Sequence, residues 1–471
     1  MSRDGDPEGE AEPTPEVRGA RTLAESLRLY LDRRLLIIFV FGMAQGYPWV
    51  LIGSAMTAWL QESGLTRSAI GFFGSIFGVY AVNFLWAPFV DRLRIPLLYR
   101  LGPRRSWILA MQLLMATATL AIAFTEPDAN LTWTAILALG LAICSATQDM
   151  AIDAYRVEII PRHEAAVISH GAATITAGWW TGFALLGAIP FFLADLPGWS
   201  WSRVYFVLAA LWVPLMVTVL LVPPSRQRRD RFQEAETKYR AALGGGDEPS
   251  AWQRVITWLA VTVVEPIREF FTRSGPRLAG MVLLFLFLFK IGEAFLGRMS
   301  IVFYKEVGFT DAQIGTYSKL LGGTLTIVYS LFASIFNARF GLIKGLLIGG
   351  IAMAGSNLMF SWIALAGPDE RLYAAAIFVD NFTAAFSTVA FVAFISFLTS
   401  HTYTATQYAL MASISTFGRT TMASASGVVV DAMDGDWALF FVLTALMVIP
   451  SLLLLIYVAK LLRERVEGWQ G

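Results

Sequence analysis

Cysteine and histidine are nearly absent. One cysteine, Cys144, and three histidines among 471 residues leave too few ligands for a disulfide framework or a Cys/His metal site. Charge is scarce as well: 15% of residues are Asp, Glu, Lys or Arg, against roughly 25% in soluble domains. The 36 Lys and Arg nearly cancel the 35 Asp and Glu, so no basic excess draws the chain to nucleic acid. No G-x-x-x-x-G-K-[ST] stretch occurs, and ATP hydrolysis finds no support. Asn381-Phe382-Thr383 has the glycosylation pattern but stands inside an apolar run, where no glycan fits.

What the chain has in excess is apolar length. Hydrophobic residues make up 56% of it, gathered in runs of about 20 or more, each long enough to cross a roughly 30 Å hydrocarbon core. The fold class expected is therefore an all-α polytopic membrane protein with twelve transmembrane helices in two six-helix bundles. The spans read as 35–60, 68–90, 105–125, 132–155, 166–194, 203–222, 278–304, 311–336, 343–366, 371–400, 403–430 and 437–459. The first run, about 26 residues, exceeds the 7–15 of a signal-peptide core, so it is expected to remain as a membrane helix.

Five units follow. A tail at 1–33, acidic and rich in Pro and Gly, is expected to be disordered. Residues 34–222 form the N-terminal bundle, 223–277 a linker, 278–460 the C-terminal bundle and 461–471 a second tail. Alternate connections hold 28 Lys and Arg on one side of the membrane, against Arg67, Arg203, Lys305 and Arg371 on the other. The positive-inside rule then places both termini and the linker in the cytoplasm. The linker opens with Arg226, Arg228, Arg229 and Arg231, passes Gly244-Gly245-Gly246, and turns apolar again from Trp252 to Phe271. Trp252, Ile256, Leu259, Val263, Ile267 and Phe270 recur every three or four residues, which predicts an amphipathic helix lying on the cytoplasmic membrane surface. A regulatory docking helix is the alternative.

Six helices, a basic linker and six more helices resemble the major facilitator superfamily. Its signature after the second helix is matched loosely by Pro88-Phe89-Val90-Asp91-Arg92 and Gly102-Pro103-Arg104-Arg105. Within the superfamily, Cys144-Ser145-Ala146-Thr147-Gln148-Asp149, Asp153-Ala154, Lys290-Ile291-Gly292-Glu293-Ala294-Phe295 and Ala405-Thr406-Gln407-Tyr408-Ala409-Leu410 are similar to the AmpG muropeptide permeases. The resemblance implies proton-driven import of N-acetylglucosaminyl-anhydro-N-acetylmuramyl peptides across a Gram-negative inner membrane. It implies no cofactor beyond the proton gradient, and a gating role for Asp91, Arg92, Arg104 and Arg105. The partners expected are substrate, protons and the lipid bilayer, with the protein a monomer.

Asp149, Asp153, Lys290, Glu293, Arg298, Lys319, Asp380 and Arg419 lie within spans. Unpaired, eight such charges would cost about 20–28 kcal/mol, more than the roughly 5–15 kcal/mol that holds a typical domain together. They must pair or face a water-filled cavity, and transporters place their sites in such a cavity. Asp149 and Asp153 share one helix face, where two carboxylates repel and a proton is readily taken up by one of them. Asp149, deeper by one turn, is the better proton carrier; Asp153 has Arg156 one turn away as a structural partner. Lys290 and Glu293, three residues apart, either satisfy each other or exchange partners during transport, Lys290 reaching an acid of the fourth helix in one state and the substrate in another; both are candidates for substrate contact.

By the superfamily pattern Asp380 and Asn381 belong to a cavity-lining helix and are candidates for substrate contact, as is Arg419 for an anionic group. Gln45 and Gln148 are amides in apolar surroundings for which a sugar hydroxyl or N-acetyl group is a fitting partner. Tyr47, Trp49, Trp86, Trp179 and Trp180 either stack on sugar rings or fill lipid-facing positions. Gly42-x-x-x-Gly46, Gly74-x-x-x-Gly78 and Gly178-x-x-x-Gly182 predict close helix contacts. Transporters of another sugar, peptide or drug are the nearest rival reading. A membrane enzyme lacks a nucleophile and base constellation, since His163, His170 and His401 are dispersed. A receptor would want a larger extramembrane domain.

Overall fold

The computed structural model describes residues 28–65, 73–161, 164–194, 196–225, 237–238, 251–310 and 313–465. Most of the acidic tail, the Arg226 to Arg231 cluster, the triple glycine and the last six residues lie outside them. All regular secondary structure among the described residues is helical. Among the described residues nine helices are long and apolar enough to cross a bilayer: α1 (Arg33–Leu60), α3 (Pro103–Ile122), α4 (Leu131–Ile159), α5 (Ala166–Ala194), α6 (Trp201–Leu221), α7 (Pro276–Ser300), α9 (Leu342–Ala366), α10 (Glu370–Leu398) and α12 (Trp437–Glu464).

Three further helices complete the twelve and fall short of that standard. α2 is broken into 3-10 turns at Gly74–Gly78 and Asn83–Leu85, with α-helical pieces Val79–Val82 and Ala87–Arg92. α8 (Gly322–Phe340) follows a π-helical stretch, Ile314–Leu321. α11 (Thr404–Ser424, then Ser426–Ala432) is rich in Ser and Thr. α2 falls short by length, its apolar piece being Ile76–Leu85. α2 packs on α11 and α5 packs on α8 across the seam between the two halves.

Helix starts follow the polar residues that the sequence supplies. Asn130, Asp369 and Asp436 each accept a hydrogen bond from a backbone N–H in the first turn of α4, α10 and α12, at 3.1, 2.9 and 3.0 Å, satisfying a donor that would otherwise be orphaned. Inside the first half, α1 and α5 touch backbone to backbone. A Cβ built on Gly46 would stand 2.1 Å from the Trp179 carbonyl oxygen, and one on Gly178 2.2 Å from that of Phe39; Gly42 and Gly182 are as tightly met. Gly78 differs from the sequence expectation: nothing lies within 4 Å of its Cβ position.

Gly46→Ala is therefore expected to force the two helices apart and to destabilise by about 1–3 kcal/mol or more, as overpacking does. Gly78→Ala should be close to neutral. Thermal midpoints of the purified variants compare the two, and equal midpoints would contradict the close-packed α1–α5 frame.

The linker helix runs through Ala251–Leu259, a π-helical turn Ala260–Val264 and Glu265–Ser274. One face, with Thr257, Val261, Thr262, Pro266 and Phe270, is buried against the helix ends. Phe270 joins the apolar core of the second half, so it departs from the stripe predicted for it. Trp252, Val255, Leu259, Val263 and Ile267 remain exposed on the outside.

Candidate functional site

A cavity of about 570 Å³ lies between the halves, and its two walls differ in chemistry. The first half contributes Gln45 and Trp49 from α1, Asp149 and Asp153 from α4, and Thr176, Trp179 and Trp180 from α5. The second half contributes Glu293, Thr326, Asn381, Thr388, Tyr408 and Arg419 among small residues of α10. The aromatic wall is braced from behind. Trp49 stacks on Phe77 at 4.5 Å between ring centroids and meets Trp179 edge-on, while Trp179 stacks on Phe183 at 5.2 Å. Trp86 stands apart, its indole N–H donating to Thr147 Oγ1 at 3.0 Å.

The two acids of α4 differ in company. Asp149 lines the cavity, and its Oδ1 is shielded with no hydrogen-bond partner among the described residues. Asp153 accepts from Arg156 Nη2 at 3.2 Å. Gln45 lines the cavity too and donates to the backbone oxygen of Asp149 at 3.3 Å.

Two residues expected to contact substrate do not line the cavity. Tyr47 is wholly buried: its hydroxyl donates to the Leu208 carbonyl at 2.6 Å and its ring packs edge-on to Trp212, so it fastens α1 to α6. Gln148 is equally buried and donates to the Ala44 carbonyl at 2.9 Å, fastening α4 to α1. Each is next to, or two residues from, a cavity residue, and a helix turns about 100° per residue.

In the second half, Lys290 is also drawn out of the cavity. Its ammonium donates to Glu293, to Ser387 Oγ at 2.7 Å and to Thr388 Oγ1 at 3.0 Å. An ammonium has three donors, and these partners use all of them, so Lys290 and Glu293 satisfy each other here, one of the two arrangements their spacing allows; Glu293 and Thr388 face the cavity. Asp380 does not line it; its Oδ1 accepts from Ser356 at 3.2 Å, between α9 and α10. Asn381 does line it and accepts from Thr326 Oγ1 at 3.0 Å. Arg419 is exposed into the cavity and, among the described residues, makes no hydrogen bond or ion pair. Arg298 is exposed farther along α7; the side chain of Lys319 lies outside the described residues.

Hydrogen bonds between the halves gather at the end that bears the linker. The signature loop supplies the largest set. Arg104, fully buried, donates to Asp91 Oδ1 at 2.6 Å and to Glu158 Oε1 at 2.9 and 2.6 Å. Asp91 in turn accepts from the backbone N–H of Ala405 at 3.0 Å and from the N–H and hydroxyl of Thr406 at 2.8 and 2.6 Å. A carboxylate thus sits on the first turn of α11, where the helix dipole and unpaired N–H groups favour an anion. Thr404 donates to Glu158 at 3.0 Å.

Arg92 reaches the linker helix instead, donating to the Trp258 carbonyl at 3.3 Å with its guanidinium over the Trp258 ring. Arg105 stays within the first half, bound to the Val219 and Leu220 carbonyls that end α6, and makes a helix cap where the gating role was expected.

Other ties close the same end. Tyr30 bonds Ser334 and the Leu331 carbonyl of α8, and burial pushes its phenol up to about 12, so it remains a donor. Gln407 donates to the Pro266 carbonyl at 2.9 Å and to Glu269 at 2.6 Å, and Arg273 donates to the Leu398 carbonyl at 2.8 Å. The linker helix consequently straps the seam at this end, reaching the first half through Arg92 and the second through Gln407 and Leu398. Glu158, Thr404 and Ser396 were not predicted from sequence. An acid at the end of α4 facing a basic loop was the one available sign for Glu158.

Residues 35–367 match the family described as Major Facilitator Superfamily. The chain is 33% identical to the anhydromuropeptide permease of Escherichia coli K12 over 437 residues, 92% of this chain and 81% of the relative. It is 31% identical to the putative transporter AmpG 4 of Rickettsia conorii, over 91% of this chain and 97% of the relative. Among solved structures, the proton:xylose symporter XylE superposes with a TM-score of 0.62 at 15% identity, covering 92% of this chain and 95% of that one. The human organic anion transporter MFSD10 does so with 0.55 at 17%, covering 90% and 99%. The two structures share the fold alone. A twelve-helix pair of bundles around a central cavity, a family match over most of the chain and full-length relatives above 30% identity agree: this chain is a transporter that belongs to the Major Facilitator Superfamily, in its anhydromuropeptide permease family.

Proposed function

We propose that the chain imports anhydromuropeptides, disaccharides bearing a short peptide, together with protons from the periplasm into the cytoplasm of a Gram-negative bacterium. It works as a monomer in the inner membrane with both termini cytoplasmic and needs no cofactor. The observation that carries this reading is the division of the cavity. One wall presents braced indole rings that suit the apolar faces of sugar rings, and the other presents Arg419, a cation without a counter-ion bond among the described residues, beside polar side chains. Such a pair of walls suits a ligand that is sugar at one end and carboxylate at the other. The 28 to 4 asymmetry of basic residues supports the orientation, and the acids of α4 supply the proton site.

Titration of the purified protein with the anhydrodisaccharide, with and without its peptide, tests the reading through quenching of tryptophan fluorescence. The peptide-bearing ligand is expected to bind more tightly. Arg419→Gln should weaken it by about 10-fold to 160-fold, the range for a hydrogen bond to a charged group, and leave the bare disaccharide nearly unchanged. Equal binding of both ligands by the unaltered protein, or of neither, would overturn the substrate assignment.

A further inference from the structure

Under the cavity floor one side chain belongs to both halves at once. Arg156, on α4, is 1% exposed. Its Nη2 donates to Asp153 Oδ1 at 3.2 Å and to the Tyr408 hydroxyl at 3.0 Å, and its Nη1 donates to Ser396 Oγ at 2.9 Å. Its guanidinium also lies over the Tyr408 ring, 5.4 Å from the centroid. Ser396 and Tyr408 stand on α10 and α11 of the second half, whereas Asp153 and Tyr408 line the cavity. Among the described residues Asp153 is the one carboxylate paired with Arg156.

The other groups around the pair do not replace that charge. Gln45 of α1 and Tyr408 of α11 flank Asp153 and are neutral, and Ser396 is the polar contribution of α10. Asp149 is one turn deeper on the same face of α4. Glu158, on the same helix, is engaged by Arg104 and Thr404. A water-sized void lined by Arg156, Ser396 and His401 lies beside the guanidinium, and Arg156 Nε, which is shielded, has no partner among the described residues.

We propose that Arg156 is the positioning residue through which a proton on Asp153 loosens the seam at the linker end. With Asp153 ionised, the guanidinium is neutralised on its own helix and held in register for Ser396 and Tyr408, and the halves stay tied. A proton that reaches a carboxylate oxygen of Asp153, from cavity water or from Asp149, leaves a buried cation with no counter-ion. That state is costly, and hydration relieves it. Water reaches Arg156 when α10 and α11 part from α4, so protonation favours opening on that side. The scheme gives one carboxylate the double task of facing the cavity and anchoring the bond across the seam. It rests on the proton-coupled reading above and not on the identity of the substrate.

Distances between spin labels at Arg100 and Arg339, exposed on the first and second halves, report the linker-end opening in a Cys144→Ser background with no substrate present. In the unaltered protein the open population is expected to rise as pH falls. Asp153→Asn should favour the open population at every pH, raising the open-to-closed ratio by about tenfold or more at high pH. The double variant Asp153→Asn/Arg156→Gln restores neutrality, so it should fold whether or not the single variants do, and it should show no pH step. Asp149→Asn should keep the step. Persistence of the wild-type step in the double variant, or its loss in Asp149→Asn alone, would overturn the role of Arg156. A pH-independent distribution in the unaltered protein would also overturn it, whereas proton coupling itself fails only if an imposed pH gradient drives no uptake by that protein. Failure of muropeptide binding touches neither outcome.

Discussion

An Asp149→Asn protein is expected to lose all accumulation of substrate driven by a pH gradient while it still exchanges substrate between two loaded sides. Asp149 faces the cavity with one shielded oxygen that no donor meets among the described residues. That oxygen can accept a proton without breaking an existing bond, whereas Asp153 must first be released from Arg156. Asparagine keeps the size of the side chain and removes its exchangeable charge. Net uptake into vesicles with an imposed gradient, set beside counterflow of labelled substrate in the same vesicles, makes the comparison. Net uptake near the wild-type level would remove Asp149 from coupling. Loss of both activities with a normally folded protein would make it a substrate ligand instead.

Arg104→Gln is expected to cost about 3–5 kcal/mol, the range for removing one partner of a buried ion pair. Arg104 holds both Asp91 and Glu158 in a site from which water is excluded, and glutamine leaves two carboxylates there without a cation. The loss falls on the state in which the linker end is shut, because Asp91 is also the anchor of α11. Thermal midpoint and linker-end labelling should both register it. Adding Asp91→Asn and Glu158→Gln to Arg104→Gln should recover much of the stability, since no buried charge is then left over. A single variant as stable and as closed as the unaltered chain would show that the three groups do not hold the seam.

The twelve helices were legible because a bilayer admits few alternatives. Backbone groups inside it must bond within their own segment, and length plus apolarity then mark most spans. The same reasoning could find a cavity from the intramembrane charges, but not which face of each helix looks into it. Gln148 and Asp149 are neighbours in sequence, yet one ties α4 to α1 and the other lines the cavity. Both stand on a helix apolar enough that its polarity pattern gives no direction. Lys290 reads as a cation available to substrate until Ser387 and Thr388, nearly one hundred positions away, are seen to occupy it. The tie from Asp91 to Thr406 crosses 315 positions, a distance that no local pattern reports. Resemblance to a family drew attention to both ends of that tie without giving its geometry.

The glycine contacts between α1 and α5 have a consequence for how such a chain can change its cargo. Trp49, Trp179 and Trp180 project from a frame whose spacing is set by four residues without side chains. Recognition and scaffold are therefore written in different letters on that wall. An indole can be exchanged for a smaller or more polar group with the frame left in place, so new sugar preferences lie within single steps that spare the fold. The opposite wall lacks this separation, since Glu293 and Thr388 face the cavity and also hold Lys290. Diversification within such a lineage would run through the indoles first, with the ionic wall kept as the part that every cargo has to satisfy.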